Sequence, residues 1–319
     1  MLQTNYIRCH GSGNRFLLLD AAAEPRLEAL ADRPDLIRHL CRIDGPADGL
    51  LLTVRRDERF GMRMFNTDGS EAEMCGNGIR CVARSVAERY LPDAERFELL
   101  SGGRPYPIRR EEPLFEGIPT YRVDLPIRLS TADFPPSLDA PEGFVGRPID
   151  ALDPALRFTY VNPGNPHLAA AVERIDTDRL VRLGERVKEL PALFPRGINV
   201  SLFVPCGGQE IYTATYERGV GLTSSCGTAM TSASTAACFL QYCRTDLPIR
   251  VRNSGGMVRC CCRRTEAGIV TSLSGNATFE ADGLLRIDPE TACVELLGRA
   301  TLRTEEIDRY RQFYESVQR

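Results

Sequence analysis

The chain has 319 residues, 43% of them hydrophobic, and a formal net charge of −3, so it is long enough for two globular domains. A charge this close to zero indicates no nucleic-acid partner and no attraction to an anionic membrane. No apolar run approaches the roughly 18 residues of a transmembrane helix, and the first residues do not form a secretory leader. We therefore expect a cytoplasmic protein without a membrane partner, whose twelve cysteines are free thiols.

Lysine is almost absent from the chain. Of the 40 basic residues only Lys188 is a lysine, and it falls at the exposed end of an amphipathic helical pattern. An enzyme that uses pyridoxal phosphate needs a lysine for the Schiff base. We therefore expect chemistry at an amino-acid α-carbon to proceed here without that cofactor, and we predict no cofactor at all.

The first part of the chain predicts strands around one short helix. A strand leads into Gly13 and Asn14 and continues through residues 16–19, and a helix follows near residues 34–42. Residues 49–54 form the next apolar strand, and a further strand leads to a glycine-flanked cysteine.

That cysteine, Cys75, marks the predicted start of a longer helix. The apolar positions after it recur with helical spacing and are Ile79, Val82, Ala83, Val86, Ala87 and Tyr90. Arg80, Arg84 and Glu88 fall between them, so we predict an amphipathic helix whose charged face also carries Cys81.

The second part predicts the same order of elements. A strand at residues 158–161 leads to residues 164–167, a helix occupies residues 177–190, and another strand occupies residues 198–204. A helix then begins at Cys226, with a weaker apolar pattern because serine and threonine residues dilute it.

Two further stretches lie outside the repeated order of elements. The proline-rich stretch from Pro126 to Pro148 is the predicted linker between the two halves. Residues 304–310, near the end of the chain, predict a helix.

The sequence also matches itself at an offset of 151 residues, without a gap. At this offset Gly13 and Asn14 fall onto Gly164 and Asn165, Phe65 and Asn66 onto Tyr216 and Glu217, and Cys75 and Gly76 onto Cys226 and Gly227. The chain is therefore an internally doubled protein.

We predict an α/β (α+β) fold of two pseudo-symmetric lobes, each a mixed β-sheet wrapped around a central helix. Residues 1–126, completed by residues 281–319, form the N-terminal lobe with Cys75, and residues 127–280 form the C-terminal lobe with Cys226. Since domain interfaces commonly hold active sites, we expect the site in the cleft between the lobes.

The two cysteine loops indicate acid–base chemistry. At a helix N-terminus, free backbone N–H groups and the helix dipole lower the pKa of a thiol, and the same N–H groups can hold a carboxylate. Two thiols on opposite faces of one substrate would remove a proton from one face and return one to the other. The alternative interpretation is a pair of buried cysteines at tight glycine turns.

A metal site is not expected. Cys260, Cys261 and Cys262 fall on a predicted strand, where neighbouring side chains point to opposite faces, and the sequence contains no C-x-x-C pair. A thiol redox or metal-binding protein is thus the distant alternative.

The chain resembles the diaminopimelate epimerases. The resemblance rests first on Phe-Asn-Thr-Asp-Gly-Ser-Glu-Ala-Glu-Met-Cys-Gly-Asn-Gly-Ile-Arg-Cys at residues 65–81. Residues 13–14, 164–167, 198–200 and 217–221 complete the pattern in order, so the resemblance covers nearly the whole chain. It implies a cofactor-independent epimerase that interconverts LL- and meso-diaminopimelate, for lysine and cell-wall precursor synthesis, by proton transfer between two cysteines.

The resemblance also implies roles for particular residues. Cys75 and Cys226 are the two bases, and His167 and Glu217 tune their pKa values. The residues that hold the reacting amino-acid end of the substrate are Asn14, Gly76, Asn77, Gly227 and Thr228. The residues that hold the distal amino-carboxylate are Asn66, Asn165, Asn199, Glu217 and Arg218.

Three positions depart from the family pattern. Arg15 stands where the family usually has Asp, Gly49 where it has a substrate-contacting Gln, and Ala229 where it has Gly. A racemase of another amino acid, built on the same fold and the same two cysteines, is therefore the second hypothesis. The expected ligand in either case is a small amino acid, and a homodimer is compatible with both.

Overall fold

The computed structural model describes residues 1–131, 138–288 and 291–318, which form two compact units. Unit 1 comprises Met1–Val123 and Ser274–Arg319, and unit 2 comprises Asp124–Leu273. Strands dominate and helices are few, so the predicted mixed α/β class is confirmed. Within the predicted linker, residues 132–137 lie outside the described residues.

The elements follow in chain order. Those up to the end of the first half are β1 (Leu2–Gly11), β2 (Asn14–Asp20), a 3-10 helix (Pro25–Asp32), α1 (Pro34–Leu40), β3 (Gly49–Arg56), β4 (Arg59–Asn66), β5 (Glu71–Ala72), α2 (Gly76–Arg89), β6 (Arg96–Ser101), β7 (Arg104–Glu111) and β8 (Thr120–Ile127). Those of the second half are β9 (Arg147–Ile149), β10 (Asp153–Val161), β11 (His167–Ala171), α3 (Thr177–Lys188), β12 (Asn199–Gly207), β13 (Glu210–Glu217), β14 (Gly221–Thr223), α4 (Gly227–Phe239), β15 (Ile249–Asn253) and β16 (Gly256–Thr265). The last are β17 (Gly268–Asn276), β18 (Thr278–Asp288), β19 (Cys293–Leu296), β20 (Thr301–Leu302) and α5 (Thr304–Gln318).

The internal repeat is present in the strand pairing. β1 pairs antiparallel with β2, β2 parallel with β3, and β3 antiparallel with β4. In unit 2, β10 pairs antiparallel with β11, β11 parallel with β12, and β12 antiparallel with β13. β13 begins and ends 151 residues after β4, so the offset read from the sequence holds for the elements themselves.

Each unit places one helix against its own sheet. In unit 1 the strands run in the order β18, β1, β2, β3, β4, β6, β7 and β8. Helix α2 packs on β1 to β4 of this sheet. In unit 2 the order is β9, β10, β11, β12, β13, β15 and β16, and α4 packs on β10 to β13, β15 and β16.

The surroundings of α2 differ from the prediction. Every residue from Gly76 to Ala87 is buried, so the predicted charged face is wrong: Arg80, Cys81 and Arg84 lie inside the protein. Arg84 pairs there with Glu306 and Glu88. In the sequence, an arginine between apolar positions resembles a surface residue. In the structure, β17 packs over Arg80 and α5 packs over Arg84, so both arginines are enclosed.

Helix α4 is buried from Gly227 to Cys238 although it is rich in hydroxyl side chains. These hydroxyls bond to carbonyl oxygens of the helix itself: Thr231 donates to Gly227 at 2.9 Å, and Ser232 donates to Thr228 at 2.8 Å. Polar side chains satisfied in this way can sit inside a core. The weak apolar pattern of this helix therefore does not indicate exposure.

The predicted C-terminal helix is confirmed as α5, which packs against β18. Tyr310 of this helix meets the ring of His10 edge-on, with centroids 4.3 Å apart. Among the residues that the structure describes, none of the helices combines the length and apolar character needed to span a membrane.

Candidate active site

Both cysteine loops end at a helix N-terminus, as predicted. Cys75 is the N-cap of α2, with φ −135° and ψ 110°, and Cys226 is the N-cap of α4, with φ −127° and ψ 113°. The Gly78 N–H donates to the Cys75 sulfur at 3.3 Å. The two loops thus share one backbone conformation at equivalent positions of the repeat.

In unit 1, hydrogen bonds join the Cys75 loop to the turn between β1 and β2. Asn77 Nδ2 donates to Asn14 Oδ1 at 3.3 Å, and Asn14 Nδ2 donates to Asp48 Oδ2 at 2.8 Å. Asn66 instead donates to the Ser70 hydroxyl at 3.0 Å, within the turn that follows β4. The structure therefore brings together Asn14, Asn77 and the Cys75 loop, and gives Asn66 a local partner.

In unit 2, His167 lies at the centre of the predicted residues. Its Nε2 lies 3.0 Å from Asn165 Oδ1, 3.0 Å from Thr228 Oγ1 and 3.3 Å from Asn199 Nδ2. The Thr228 hydroxyl lies in turn 3.4 Å from the Cys226 sulfur. A continuous chain of polar contacts therefore leads from both asparagines, through His167 and Thr228, to the thiol.

Glu217 and Arg218 follow at the end of β13. The Arg218 N–H donates to Asn199 Oδ1 at 2.9 Å, and its Nη1 donates to the Arg196 carbonyl at 2.8 Å. Thr223 of β14 donates to Glu217 Oε1 at 2.6 Å. The Glu217 carboxylate also lies close enough to Cys226 to raise the pKa of its thiol. Asn165, Asn199, His167 and Thr228 thus connect to the Cys226 thiol through polar contacts. Arg218 joins them through its backbone N–H, while its side chain bonds to the Arg196 carbonyl.

His167 is neutral at physiological pH. Burial lowers its pKa to about 3, and the positive charge of Arg218 acts in the same direction. Its Nδ1 is enclosed without a hydrogen-bond partner among the described residues, which disfavours the doubly protonated ring. His167 can therefore position Thr228 and the asparagines as a fixed polar group rather than as a cation.

The expectation of a lowered pKa is wrong for Cys226. Burial raises the pKa of this thiol well above its usual range, and the Glu217 carboxylate raises it further. The Thr228 hydroxyl and the Ala229 N–H oppose these two effects without overcoming them. A helix N-terminus favours a thiolate, but removal of the sulfur from water disfavours it more strongly here.

This origin of the raised pKa can be tested with Glu217→Gln. Removing the negative charge beside Cys226 stabilises its thiolate, so the pKa falls and alkylation of Cys226 should begin at lower pH than in the wild type. The measurement is the pH dependence of alkylation by iodoacetamide, followed by mass spectrometry of the Cys226 peptide. The control Glu173→Gln changes an exposed carboxylate of the same unit. An unchanged or higher midpoint in Glu217→Gln would contradict this origin.

The three departures from the family pattern have different surroundings. A Cβ atom on Gly49 would lie 2.6 Å from the Phe65 carbonyl oxygen, so a side chain does not fit there without a backbone shift. The Arg15 N–H donates to Asp48 at 2.7 Å, and its guanidinium pairs with Glu280. Ala229 is fully buried in the first turn of α4.

Two residues of the site were missed by the sequence reasoning. Asp48 holds both Asn14 and the Arg15 N–H, and Thr223 holds Glu217. The signal for Asp48 was its place just before β3, in the loop after Gly45 and Pro46. Thr223 occupies β14, whose three residues are too few to be recognised from periodicity. Within the described part of the chain, no group of three or more His, Cys, Asp or Glu side chains could hold a metal ion.

Comparisons with known proteins show the family of this chain. The model of the diaminopimelate epimerase family matches residues 6–115 and 159–280. A diaminopimelate epimerase of Clostridium acetobutylicum is 34% identical over 321 residues, covering 99% of this chain and 95% of the relative. One of Enterococcus faecalis is 36% identical over 283 residues, covering 85% of this chain and 86% of the relative.

The comparison with one solved structure supports the fold but not the activity. The crystal structure of a phenazine biosynthesis protein of the PhzF family from Bacillus anthracis is similar with a TM-score of 0.64 at 14% identity, covering 90% of this chain and all of that one. The relatives matched over most of the sequence are epimerases, so the class of protein is an isomerase. The chain belongs to the diaminopimelate epimerase family.

Proposed function

We propose that this chain interconverts LL- and meso-diaminopimelate without a cofactor, by proton transfer between the Cys75 and Cys226 sulfurs and the substrate α-carbon. The observation that carries the proposal is that both cysteines are helix N-caps with the same backbone conformation, one in each half of a doubled fold. A symmetric pair of acid–base groups is what inversion at one carbon needs. Membership of the epimerase family supports the same reaction.

The proposed reaction needs one thiolate and one thiol. In one direction the Cys75 thiolate takes the α-proton, and the electron pair of the broken C–H bond stays on the substrate as a carbanion. The Cys226 thiol then gives its proton to the opposite face and becomes the thiolate. Burial and Glu217, which keep Cys226 protonated, suit it to the role of acid in this direction. The reverse direction exchanges the two roles.

The loops also supply a place for the substrate carboxylate. Residues after each cysteine, Gly76 and Asn77 in α2 and Gly227 and Thr228 in α4, are buried at the first turn of a helix. N–H groups at such a position stabilise a carboxylate and the negative charge that develops when the α-proton leaves. Asn14, through its bond to Asn77, lies beside the loop in unit 1.

The distal end of diaminopimelate is an amino-carboxylate, which needs both a cation and an acceptor. Arg218 offers a planar guanidinium for a carboxylate, and Glu217 offers a carboxylate for an ammonium group. Asn165 and Asn199 lie in the same polar chain as His167, and Asn66 stands at the equivalent position of Glu217 in the other half. We assign these residues to the distal end.

The direct test is incubation of the purified chain with LL-diaminopimelate in the absence of pyridoxal phosphate. The expected product is meso-diaminopimelate, identified by chiral chromatography. A panel of amino acids with one carboxylate, proline among them, serves as comparison. Turnover of a member of that panel, with diaminopimelate untouched, would contradict the proposed substrate but not the proposed reaction.

The second candidate is a racemase of another amino acid with the same two cysteines. The observation that favours it is Gly49, where the Phe65 carbonyl leaves no space for the family's substrate-contacting Gln. A substrate that does not use that contact would suit the site equally well. The amino-acid panel separates the two candidates.

We also propose that the protein works in the cytoplasm. All twelve cysteines are free thiols in the structure, and eight of them are buried, as suits a reducing compartment.

A further inference from the structure

Arg80 is a fully buried cation close to the candidate catalytic thiol. It lies in α2 five residues after Cys75, and none of its surface is exposed to solvent. Burying a guanidinium costs several kcal/mol unless its donors find partners, because the charge is removed from water. The hydrogen bonds that its donors make therefore decide what Arg80 contributes to this part of the protein.

The contacts of Arg80 reach three separate segments of unit 1. Nη1 donates to the Gly76 carbonyl at 2.8 Å, and Nη2 donates to Asn77 Oδ1 at 3.0 Å. Nη2 also donates to the Ser12 hydroxyl at 3.2 Å, and Nε donates to the Asn276 carbonyl at 3.1 Å. One planar group therefore ties the Cys75 loop to the turn after β1 and to the end of β17.

Two glycines make room for this side chain. A Cβ atom on Gly275 would lie 2.7 Å from Arg80 Cζ, and one on Gly11 would lie 2.8 Å from Arg80 Nη2. Neither glycine has a positive φ, so the backbone conformation itself does not require glycine at either position. Glycine at these two positions therefore leaves the space that the guanidinium occupies.

Asn276 extends these contacts to the turn that carries Asn14. Its Oδ1 accepts the Ser12 N–H at 2.7 Å, and its Nδ2 donates to the His10 carbonyl at 3.2 Å. The Gly13 N–H donates to His10 Nδ1 at 3.2 Å, a bond that requires an unprotonated nitrogen. Burial lowers the pKa of His10 to about 3, which keeps this nitrogen available.

We propose that Arg80 is a positioning residue of the reaction: it fixes the Cys75 loop relative to the turn that carries Asn14. This inference rests on the proposed function. Arg80 acts through Gly76, Asn77 and Ser12 rather than on the substrate. If its contacts are lost, the thiol and the residues that hold the reacting end shift against each other, whereas the distal residues of unit 2 keep their own contacts.

The test compares Arg80→Lys with Arg84→Lys. Arg84 is the matched control because it is also a buried arginine of α2, but its partners are Glu306, Glu88 and the Ala277 carbonyl. A lysine keeps the charge but cannot reproduce the planar set of donors. We expect kcat for LL-diaminopimelate to fall about 10²-fold in Arg80→Lys with a smaller change in KM, since misplacement by about 1 Å can cost that much. Arg84→Lys should lower the thermal stability while leaving kcat within about threefold of the wild type, because its contacts lie away from the loop.

A second readout needs no substrate. Amide hydrogen exchange at residues 12–14 and 76–78 should accelerate in Arg80→Lys but not in Arg84→Lys. If the wild type does not act on diaminopimelate, the proposed function is wrong. The exchange result would still show whether Arg80 fixes the Cys75 loop against residues 12–14. Unchanged exchange and unchanged kcat in Arg80→Lys would overturn the inference, and so would an equal loss of kcat in Arg84→Lys.

Gly275→Ala provides an independent variant in which Arg80 itself is kept. The added methyl group would displace the guanidinium, so we expect the same loss of kcat and the same local exchange as in Arg80→Lys. If local amide exchange shows that the guanidinium contacts are lost in Gly275→Ala but the activity stays full, the inference would also be overturned.

Discussion

Replacing either Cys75 or Cys226 by serine should abolish epimerisation, lowering kcat about 10²- to 10⁴-fold or more, because a positioned acid or base contributes that much. A serine hydroxyl neither ionises near neutral pH nor gives up its proton as readily as a thiol. The two sulfurs act in sequence on each turnover, so loss of either one should stop both directions. The measurement is the rate of interconversion of LL- and meso-diaminopimelate for each purified variant.

The control variants are Cys206→Ser in unit 2 and Cys293→Ser in unit 1. Both cysteines are exposed, so their replacement should leave the rate near that of the wild type. Cys81 is less suitable as a control, because it is fully buried rather than on a charged helix face. Near-normal turnover in Cys75→Ser or Cys226→Ser would exclude the two-base mechanism.

Arg218→Lys should raise KM for diaminopimelate about tenfold or more while changing kcat less. If Arg218 binds the distal carboxylate, a lysine ammonium loses the paired geometry of the guanidinium, and the lost binding affects the ground state and the transition state alike. The contact of the Arg218 N–H with Asn199 is made by the backbone and should remain in the variant. Initial rates over a range of substrate concentrations give both constants.

Arg182→Lys is the matched control, since Arg182 is an exposed arginine of α3 in the same unit. Its KM should equal that of the wild type. An unchanged KM in Arg218→Lys would show that Arg218 does not bind the distal carboxylate, and would favour a substrate with one carboxylate.

Much of the fold follows from local patterns. The start of α2 at Cys75 and of α4 at Cys226 could be predicted because helical spacing begins after a glycine-flanked cysteine in both halves. The offset of 151 residues predicts the alignment of β13 with β4, because a repeated sequence repeats its strand pairing. Gly102 and Gly103, whose φ angles are both positive, form the turn that joins β6 to β7, and adjacent glycines are typical of such a hairpin turn.

The rest depends on contacts that no local pattern contains. Arg80 is enclosed by Ser12 and Asn276, which are 68 and 196 residues away in the chain, so its spacing alone indicated a surface position. The pKa of Cys226, the N-cap of α4, likewise depends on burial and on the approach of Glu217, which lies nine residues earlier at the end of β13. Sequence identifies the groups at such a site, and packing decides their charge.

The most direct measurement of the central claim is the conversion of LL-diaminopimelate in heavy water, followed by NMR and mass spectrometry. In a two-base reaction the proton given to the product comes from the second thiol, which exchanges with solvent. We therefore expect each newly formed meso molecule to carry one deuterium at the inverted α-carbon, while the remaining LL substrate gains deuterium more slowly. Product that retains the original hydrogen at that carbon, or exchange without inversion, would contradict proton transfer by two thiols.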